Sequence, residues 1–163
     1  GADMTKPITR EEFAELTVKL YERTTATAAT AASPNPFTDT TNPEILKAFN
    51  LGITTGTSAT TFTPKNLINR EQVASMLSRA IRIMVPGADF GTVGAPTFSD
   101  QKYISSWALE HVKYMSKLEI IKGTGGKFMP KAVTSAEIAS GYANTTREQA
   151  VAMSLRTFNR FGK

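Results

Sequence analysis

The amino-acid sequence predicts an all-α fold made of three tandem repeats. A four-residue signature, Thr/Asn-Arg-Glu-Glu/Gln, occurs at 9–12, 69–72 and 146–149, and each copy opens a segment whose apolar residues recur at helical spacing. The signature arginines are 60 and then 77 residues apart, so the repeat is about 60 residues long with an insertion in the last copy. None of the three equivalent helices could bury its apolar stripe alone. We therefore expect a pseudo-threefold assembly, with a central three-helix bundle and peripheral short helices and loops.

The first long helix is predicted over 9–23. Thr9 can cap its start, and Glu12, three residues later, completes a capping box. A threonine- and alanine-rich stretch over 24–32 follows and leads into Ser-Pro-Asn-Pro, which is typical of a linker. This part of the chain therefore contributes one long helix and no short one.

The later elements are predicted from the same repeat. A short helix should have Pro43 in its first turn and end at Gly52 or Gly56. The remaining elements are predicted in this order: this short helix over 42–49, a long helix over 69–84, a glycine-rich linker over 86–96, a further helix over 104–118, a helical turn over 135–139 and a last long helix over 146–161.

These elements divide the chain into three units that together form one domain. Residues 1–34 are a partial first repeat with only its long helix, 35–90 are the second repeat, and 91–163 are the third, with an insertion over 132–144. Because the first residues lack the apolar core of a signal peptide, we interpret the chain as part of something longer.

Composition limits the classes of function. The 163 residues contain no cysteine, which excludes thiol catalysis, disulfides and cysteine metal sites. No apolar run approaches the ~20 residues that cross a bilayer. The net charge of +5 favours anionic partners, but the basic residues are too scattered to form a nucleic-acid-binding arm. We therefore expect no membrane span, no nucleic-acid partner, no metal and no cofactor.

The signature arginines, Arg10, Arg70 and Arg147, lie in the first turn of their helices, where the positive end of the macrodipole disfavours a cation. One explanation is an ion pair with an acid of a neighbouring unit, for which Asp39 and Asp100 are candidates. The other is that the arginines and free helix-start amides bind an external anion. The residues alone leave both explanations open.

The other candidate residues favour a protein that is not an enzyme. Gly56 and Gly123 are expected as helix C-caps or turn positions, or as places where a ligand approaches the backbone. Trp107, as a lone tryptophan, is expected in the core rather than as a sugar platform. His111, the only histidine, has no acidic partner at metal-binding spacing, and no pair of catalytic carboxylates stands out.

Three further motifs recur in order with the signature. Phe-x-Asp occurs at 37–39 and 98–100, a turn ending in glycine at 51–56 and 118–123, and Phe-x-Pro at 62–64 and 128–130. The four ordered motifs resemble those of the S-layer homology family. Any one of them is weak, whereas four in order and repeated are specific.

This resemblance implies a three-pronged helical domain that anchors exported proteins to an anionic, often pyruvylated, secondary polysaccharide of a Gram-positive-type cell wall. It implies a location in the extracellular cell wall or S-layer and a larger surface protein around the chain. In the family, the signature arginine contacts the anion in a groove between units. With Asp39 and Asp100 added, the expected ligand-binding residues are Arg10, Arg70, Arg147, Gly56, Gly123, Trp107, Asp39 and Asp100.

Two alternatives accompany this interpretation. In one, the chain is a degenerate repeat that serves as a structural or protein-interaction spacer, with its arginines bridged to Asp39 and Asp100. In the other, weaker one, it is a cell-wall hydrolase or an appendage of one. Because half of the first unit is missing, at most two complete grooves are expected, and the insertion is expected beside the groove of Arg147.

Overall fold

The computed structural model describes residues 3–162, and within them the regular secondary structure is helical, without a β-strand. The all-α prediction is therefore confirmed. The helices, in chain order, are α1 Arg10–Thr25, α2 Pro43–Leu51, α3 Arg70–Met84, α4 Leu109–Lys117, α5 Ser135–Ser140 and α6 Arg147–Phe161, with one 3-10 turn at Gln101–Tyr103.

Each long helix begins at its signature arginine and is capped by the residue before it. In α1, the Glu12 amide donates to Thr9 Oγ1 and the Thr9 amide donates to Glu12 Oε1, which completes the predicted capping box. The same box is present at the starts of α3 and α6. Asn42 caps α2, and Gly52 ends it in the left-handed region at φ 84°.

The helix predicted over 104–118 is shorter than expected. Residues 104–108 form a bend and a turn in place of its first part, and α4 begins only at Leu109. The cause is a tertiary contact: the Ser105 amide and hydroxyl both donate to the carboxylate of Glu71, a buried residue of α3. This fixes the segment in a non-helical conformation despite its helical pattern.

The three long helices pack against one another, and the short helices lie outside them. α1 contacts α3 and α6, α3 contacts α6, α2 packs on α1, and α4 packs on α3. The equivalent residues Phe13, Val73 and Ala150 are fully buried, as expected for apolar stripes in one phase.

Backbone hydrogen bonds join the starts of the long helices in a closed ring. The Arg10 amide donates to the residue 66 carbonyl, the Arg70 amide to that of residue 143, and the Arg147 amide to that of residue 6. The accepting carbonyl in each case lies four residues before the next signature arginine, so every helix start is fixed by its neighbour.

His111 makes folding stability dependent on pH. Its Nδ1 lies 2.8 Å from Ser78 Oγ on α3, and burial, together with Arg79 and Arg82, lowers its pKa to about 4. Because the unfolded state takes up the proton near pH ~6.5 and the folded state only near pH ~4, stability should be lost as the pH falls through this interval. Urea unfolding at about pH 7 and about pH 4.5 measures this loss, which should be smaller for His111→Gln than for the wild type. Equal losses would contradict this.

Candidate functional site

A cavity of about 390 Å³ opens at the start of α1, between α3 and the loop after α2. We call it the Arg10 groove. Its lining brings together three residues that the sequence singled out, Arg10, Gly56 and Trp107, although they are far apart in the chain. Gln72, Ser75 and Arg79 of α3 and the threonines of the 54–57 loop complete the polar part of the wall.

Arg10 is buried and held by the Phe-x-Pro loop. Its Nε donates to the Phe62 carbonyl at 2.8 Å, and its guanidinium lies 4.6 Å from the centroid of the Phe62 ring. Burial lowers the pKa of Arg10, and the Asp39 carboxylate opposes this effect. No bond from the two terminal nitrogens occurs within residues 3–162, so they remain available to a ligand.

Asp39 acts on the same peptide from the other side. Its carboxylate accepts the Phe62 amide at 3.0 Å and the Thr63 amide at 2.8 Å, and the first of these bonds is the largest cause that lowers the pKa of Asp39. Asp39 and Arg10 form no ion pair among the described residues, so the predicted bridge is wrong. The arginine is paired with a carbonyl dipole, and Asp39 does not line the groove.

The next unit repeats this arrangement. Arg70 Nε donates to the Phe128 carbonyl at 2.8 Å, and Asp100 accepts the amides of Phe128 and Met129, both at 2.8 Å. Here too the described residues show no Arg–Asp ion pair. A terminal nitrogen of Arg70 also donates to the Lys122 carbonyl at 2.7 Å, which leaves Arg70 less free than Arg10.

Arg147 differs from the other two arginines. Its terminal nitrogen forms an ion pair with Glu12 at 2.8 Å, and its buried Nε has no hydrogen-bond partner within residues 3–162. In Arg10 and Arg70, the same Nε is bonded to a Phe-x-Pro carbonyl. The neighbouring acid that sequence reasoning expected is therefore Glu12, in this copy alone.

The helix-start amides are not free, contrary to expectation. In each long helix the first two amides donate to carbonyls of a neighbouring segment, and the third donates to the capping side chain. The ring that joins the three starts consumes these donors. Anion binding by helix-start amides is therefore excluded for α1, α3 and α6.

Both predicted glycines are required by packing. Gly56 has φ +86°, and a Cβ there would lie 2.6 Å from the Phe37 ring and 2.7 Å from the Thr61 carbonyl. A Cβ at Gly123 would meet the Phe98 ring in the same way. The turn interpretation of Gly56 is confirmed and the C-cap interpretation is wrong. The close approach is that of the Phe-x-Asp phenylalanine of the same unit.

Trp107 is 52% exposed, so the expectation that it packs in the core is wrong. It lines the Arg10 groove and lies before α4, whereas the resemblance placed it within the short helix. Its exposure follows from the late start of α4, which leaves residue 107 in the turn that precedes the helix.

Sequence reasoning missed Arg79. This half-buried residue lines the groove, its burial lowers its pKa, and in the described part of the chain its side chain has no hydrogen bond or ion pair. The signal was present, since the residue nine positions after each signature arginine is basic: Lys19, Arg79 and Arg156.

The insertion lies beside Arg70 and not beside Arg147, so its predicted place is wrong. The Ala143 carbonyl accepts the Arg70 amide at 3.2 Å, and Asn144 forms a β-bridge with Asn69. Arg147 instead faces the N-terminal segment through the Asp3 carbonyl. The insertion forms a second cavity, of about 430 Å³, with residues around Asp100.

Residues 3–162 show no grouping of three or more His, Asp or Glu side chains that would suit a metal ion. None of the helices in this range has the length and apolar content needed to span a bilayer.

The chain is similar to segments of three large enzymes. It is 31% identical over 117 residues to an endoglucanase of Bacillus sp. (strain KSM-635), covering 71% of this chain and 10% of that protein. It is 32% identical over 142 residues to exoglucanase XynX of Acetivibrio thermocellus, covering 83% and 12%. An amylopullulanase of Thermoanaerobacterium thermosulfurigenes is 31% identical over 137 residues, covering 83% and 7%. The chain thus spans about a tenth of the length of these curated relatives.

The S-layer homology domain matches residues 36–74 and 97–135. Each matched segment begins at a Phe-x-Asp motif and contains a short helix, a glycine turn and a Phe-x-Pro motif. Domains of this kind anchor proteins to the bacterial cell wall. With two copies that coincide with its own internal repeat, the chain belongs to the S-layer homology domain family.

Proposed function

We propose that the chain is a non-catalytic module that binds an anionic, pyruvylated secondary cell-wall polysaccharide in the Arg10 groove. The observation that carries this proposal is an exposed Trp107 beside two arginines, Arg10 and Arg79, in a cavity that no carboxylate lines. An aromatic face suits the apolar face of a sugar, and guanidinium groups suit a carboxylate.

The two arginines have different parts in this proposal. Arg10 is fixed by its Nε bond and by the Phe62 ring, so its terminal nitrogens have a defined direction. Arg79 has no intramolecular partner in the described part of the chain and is partly desolvated. An arriving carboxylate would therefore gain charge-assisted hydrogen bonds at Arg79 without breaking existing ones.

The other two copies are less suited to bind an anion. Arg70 is bonded through Nε and a terminal nitrogen, and Arg156, the counterpart of Arg79, donates to the Ile120 carbonyl at 3.1 Å. Arg147 is paired with Glu12. We therefore propose one working groove in this chain, where sequence reasoning allowed two.

Arg79→Ala should weaken binding to pyruvylated wall polymer by about tenfold to a hundredfold, because it removes a charge-assisted hydrogen bond. Its melting temperature should stay near that of the wild type, since Arg79 has no structural partner among the described residues. Isothermal titration and thermal unfolding measure the two effects. Lys19→Ala is the matched control, because it removes a cation at the same repeat position outside the groove.

Polymer from which the pyruvyl groups have been removed should bind the wild type as weakly as intact polymer binds Arg79→Ala. Equal binding of both polymers would reject the anionic ligand. No binding of the wild type to purified walls would favour the structural or protein-interaction spacer. Release of sugar from the walls would favour a hydrolase.

The location that fits this function is the extracellular cell wall or S-layer of a Gram-positive-type bacterium. The relatives, named for activity on glycans, are about ten times longer than this chain, which supports a module attached to a larger surface protein.

The pseudo-threefold arrangement and the partial first repeat, 1–34, are part of the proposal. α2 covers α1 and α4 covers α3, and the covered positions Ala14, Val18, Ala74 and Ser78 are fully buried. At the equivalent positions of α6, Val151 is 36% and Leu155 is 56% exposed. A Phe-x-Asp half-unit, meaning a short helix with its Phe-x-Pro loop, would cover this face and supply the carbonyl that Arg147 Nε lacks.

A peptide with the sequence of residues 36–66, which is such a half-unit, should therefore bind in trans and raise the melting temperature. Leu155→Glu should abolish this rise, because it places a charge on the apolar contact. Val93→Glu is the control, since it adds the same charge at an exposed linker residue. A peptide effect that persists in Leu155→Glu would contradict the docking at α6.

A further inference from the structure

The insertion over 132–144 contributes four residues to the wall of a second cavity, Val133, Thr134, Glu137 and Tyr142. We call it the insertion cavity. Its volume is about 430 Å³, and its walls come from the 3-10 turn, from the segment after the Phe-x-Pro motif and from the insertion. None of the signature arginines lines it, so it is separate from the Arg10 groove.

The charges of the insertion cavity are balanced. Three lysines, Lys102, Lys127 and Lys131, face two carboxylates, Asp100 and Glu137. The extra positive charge is compensated from outside the cavity wall, because Lys131 Nζ lies 3.3 Å from the buried carboxylate of Glu71. The Arg10 groove, in contrast, has two arginines and no acid in its wall. A free anion would thus meet carboxylates in the insertion cavity, and a free cation would meet lysines.

The carboxylates here are also held in place. Asp100 accepts the amides of Phe128 and Met129, and Glu137 accepts the amides of Val133 and Thr134. These bonds fix the acceptors before a ligand arrives, and fixed acceptors of this kind suit the hydroxyl groups of a sugar.

Two tyrosines supply the aromatic surface. Tyr103 is 48% exposed, with Lys102 Nζ 5.2 Å from its ring centroid, and Tyr142 lines the opposite, insertion side. The hydroxyls of Ser99 and Thr134 add donors and acceptors to the same wall. An aromatic face beside fixed polar groups of both kinds is suited to a ring with an apolar face and a rim of hydroxyls.

We propose that the insertion cavity is a second carbohydrate site, which takes an uncharged, hydroxyl-rich sugar residue stacked on Tyr103. The sugar hydroxyls would donate to the oxygens of Glu137 and Asp100 and accept from Lys102 and Lys127. The site requires nothing from the Arg10 groove, so it stands whether or not that groove binds an anionic polymer.

The test is an NMR titration of the ¹⁵N-labelled chain with three probes: methyl glucoside, methyl N-acetylglucosaminide and methyl glucuronide. At least one neutral glycoside should shift amides in 99–103 and 130–137. Tyr103→Ala should weaken this binding by about tenfold, whereas Tyr103→Phe, which keeps the ring, should retain it. Trp107→Ala should leave it unchanged, because Trp107 belongs to the other cavity.

No shift with either neutral glycoside, or binding unaffected by Tyr103→Ala, would overturn the proposal. Binding of the glucuronide at this cavity as tight as that of the neutral glycosides would also overturn it, because it would show an anion site. Loss of pyruvylated-polymer binding in Trp107→Ala, with neutral-glycoside binding retained, would support two independent sites. If only the proposal for the Arg10 groove is wrong, the wild type should fail to bind the pyruvylated polymer but should still bind a neutral glycoside in the insertion cavity.

Discussion

Gly56→Ala is expected to lower the free energy of unfolding by about 3 kcal/mol, which corresponds to a fall in melting temperature of about 10 °C in a chain of this length. Two penalties add. Alanine is strained at φ +86°, and its Cβ would lie 2.6 Å from the Phe37 ring and within 3 Å of the carbonyls of Thr61 and Ser58. The two carbonyls belong to the backbone of the loop, so relief requires that the groove wall moves.

Gly52→Ala separates the two penalties. Gly52 has almost the same φ, +84°, but nothing lies within 4 Å of its hypothetical Cβ. It should therefore cost only about 1 kcal/mol, from backbone strain alone. Chemical denaturation of both variants measures the difference. Equal costs would mean that the contact with Phe37 does not fix the loop, and the packing explanation of the glycine at position 56 would fail.

The repeat and the starts of the long helices could be predicted because they depend on local chemistry. A threonine or asparagine followed three residues later by Glu or Gln forms a capping box within one helical turn, and all three boxes are present. The apolar stripes could be aligned for the same reason, since Phe13, Val73 and Ala150 follow their arginines by the same three residues.

The start of α4 could not be predicted, because it depends on Glu71, which lies 34 residues earlier in the chain. A glutamate in the first turn of a helix is expected to act locally, through the helix dipole. Here its side chain is buried and binds Ser105. The consequence reaches the candidate site, because the late start of α4 leaves Trp107 in an exposed turn.

The partners of the arginines were also beyond sequence reasoning. A search for acids found Asp39 and Asp100, which do lie close to Arg10 and Arg70, yet both pairs interact through a shared peptide. Every residue has a backbone carbonyl, so the sequence does not indicate which one will accept a hydrogen bond from an arginine. The sequence did predict a first unit without its Phe-x-Asp half, and the unbonded Nε of Arg147 supports our proposal that such a half-unit docks on α6.

This shared peptide makes the arginine of one unit and the aspartate of the next unit one structural device. Asp39 accepts the amide of Thr63, which belongs to the same peptide as the Phe62 carbonyl, and that carbonyl fixes the guanidinium of Arg10. The direction of the arginine in the groove thus depends on an acid that does not touch the cavity. A variant of the aspartate should therefore disturb the loop first and the arginine second.

The buried copy of this device should show the larger effect. Asp100→Ala leaves the amides of Phe128 and Met129 without their acceptor, and Met129 is held at φ 62° in the left-handed region. Buried amides without partners cost about 1 to 3 kcal/mol each, so we expect a loss of about 3 kcal/mol in the free energy of unfolding. Urea denaturation measures it. Ser99→Ala, which removes only an exposed hydroxyl bond to Gly126, should stay within about 0.5 kcal/mol of the wild type.

Asp39→Ala removes the same two acceptor bonds from the second unit, but Asp39 is exposed whereas Asp100 is buried. Water can reach the freed amide of Thr63, so the loss of unfolding free energy should be smaller than that of Asp100→Ala. The binding effects should be reversed. Asp39→Ala loosens the loop that holds Arg10 and should weaken binding of the anionic polymer. Asp100→Ala should leave this binding unchanged when it is measured well below the melting temperature of the variant. Equal stability losses together with equal binding would show that the aspartates act alone and do not position the arginines.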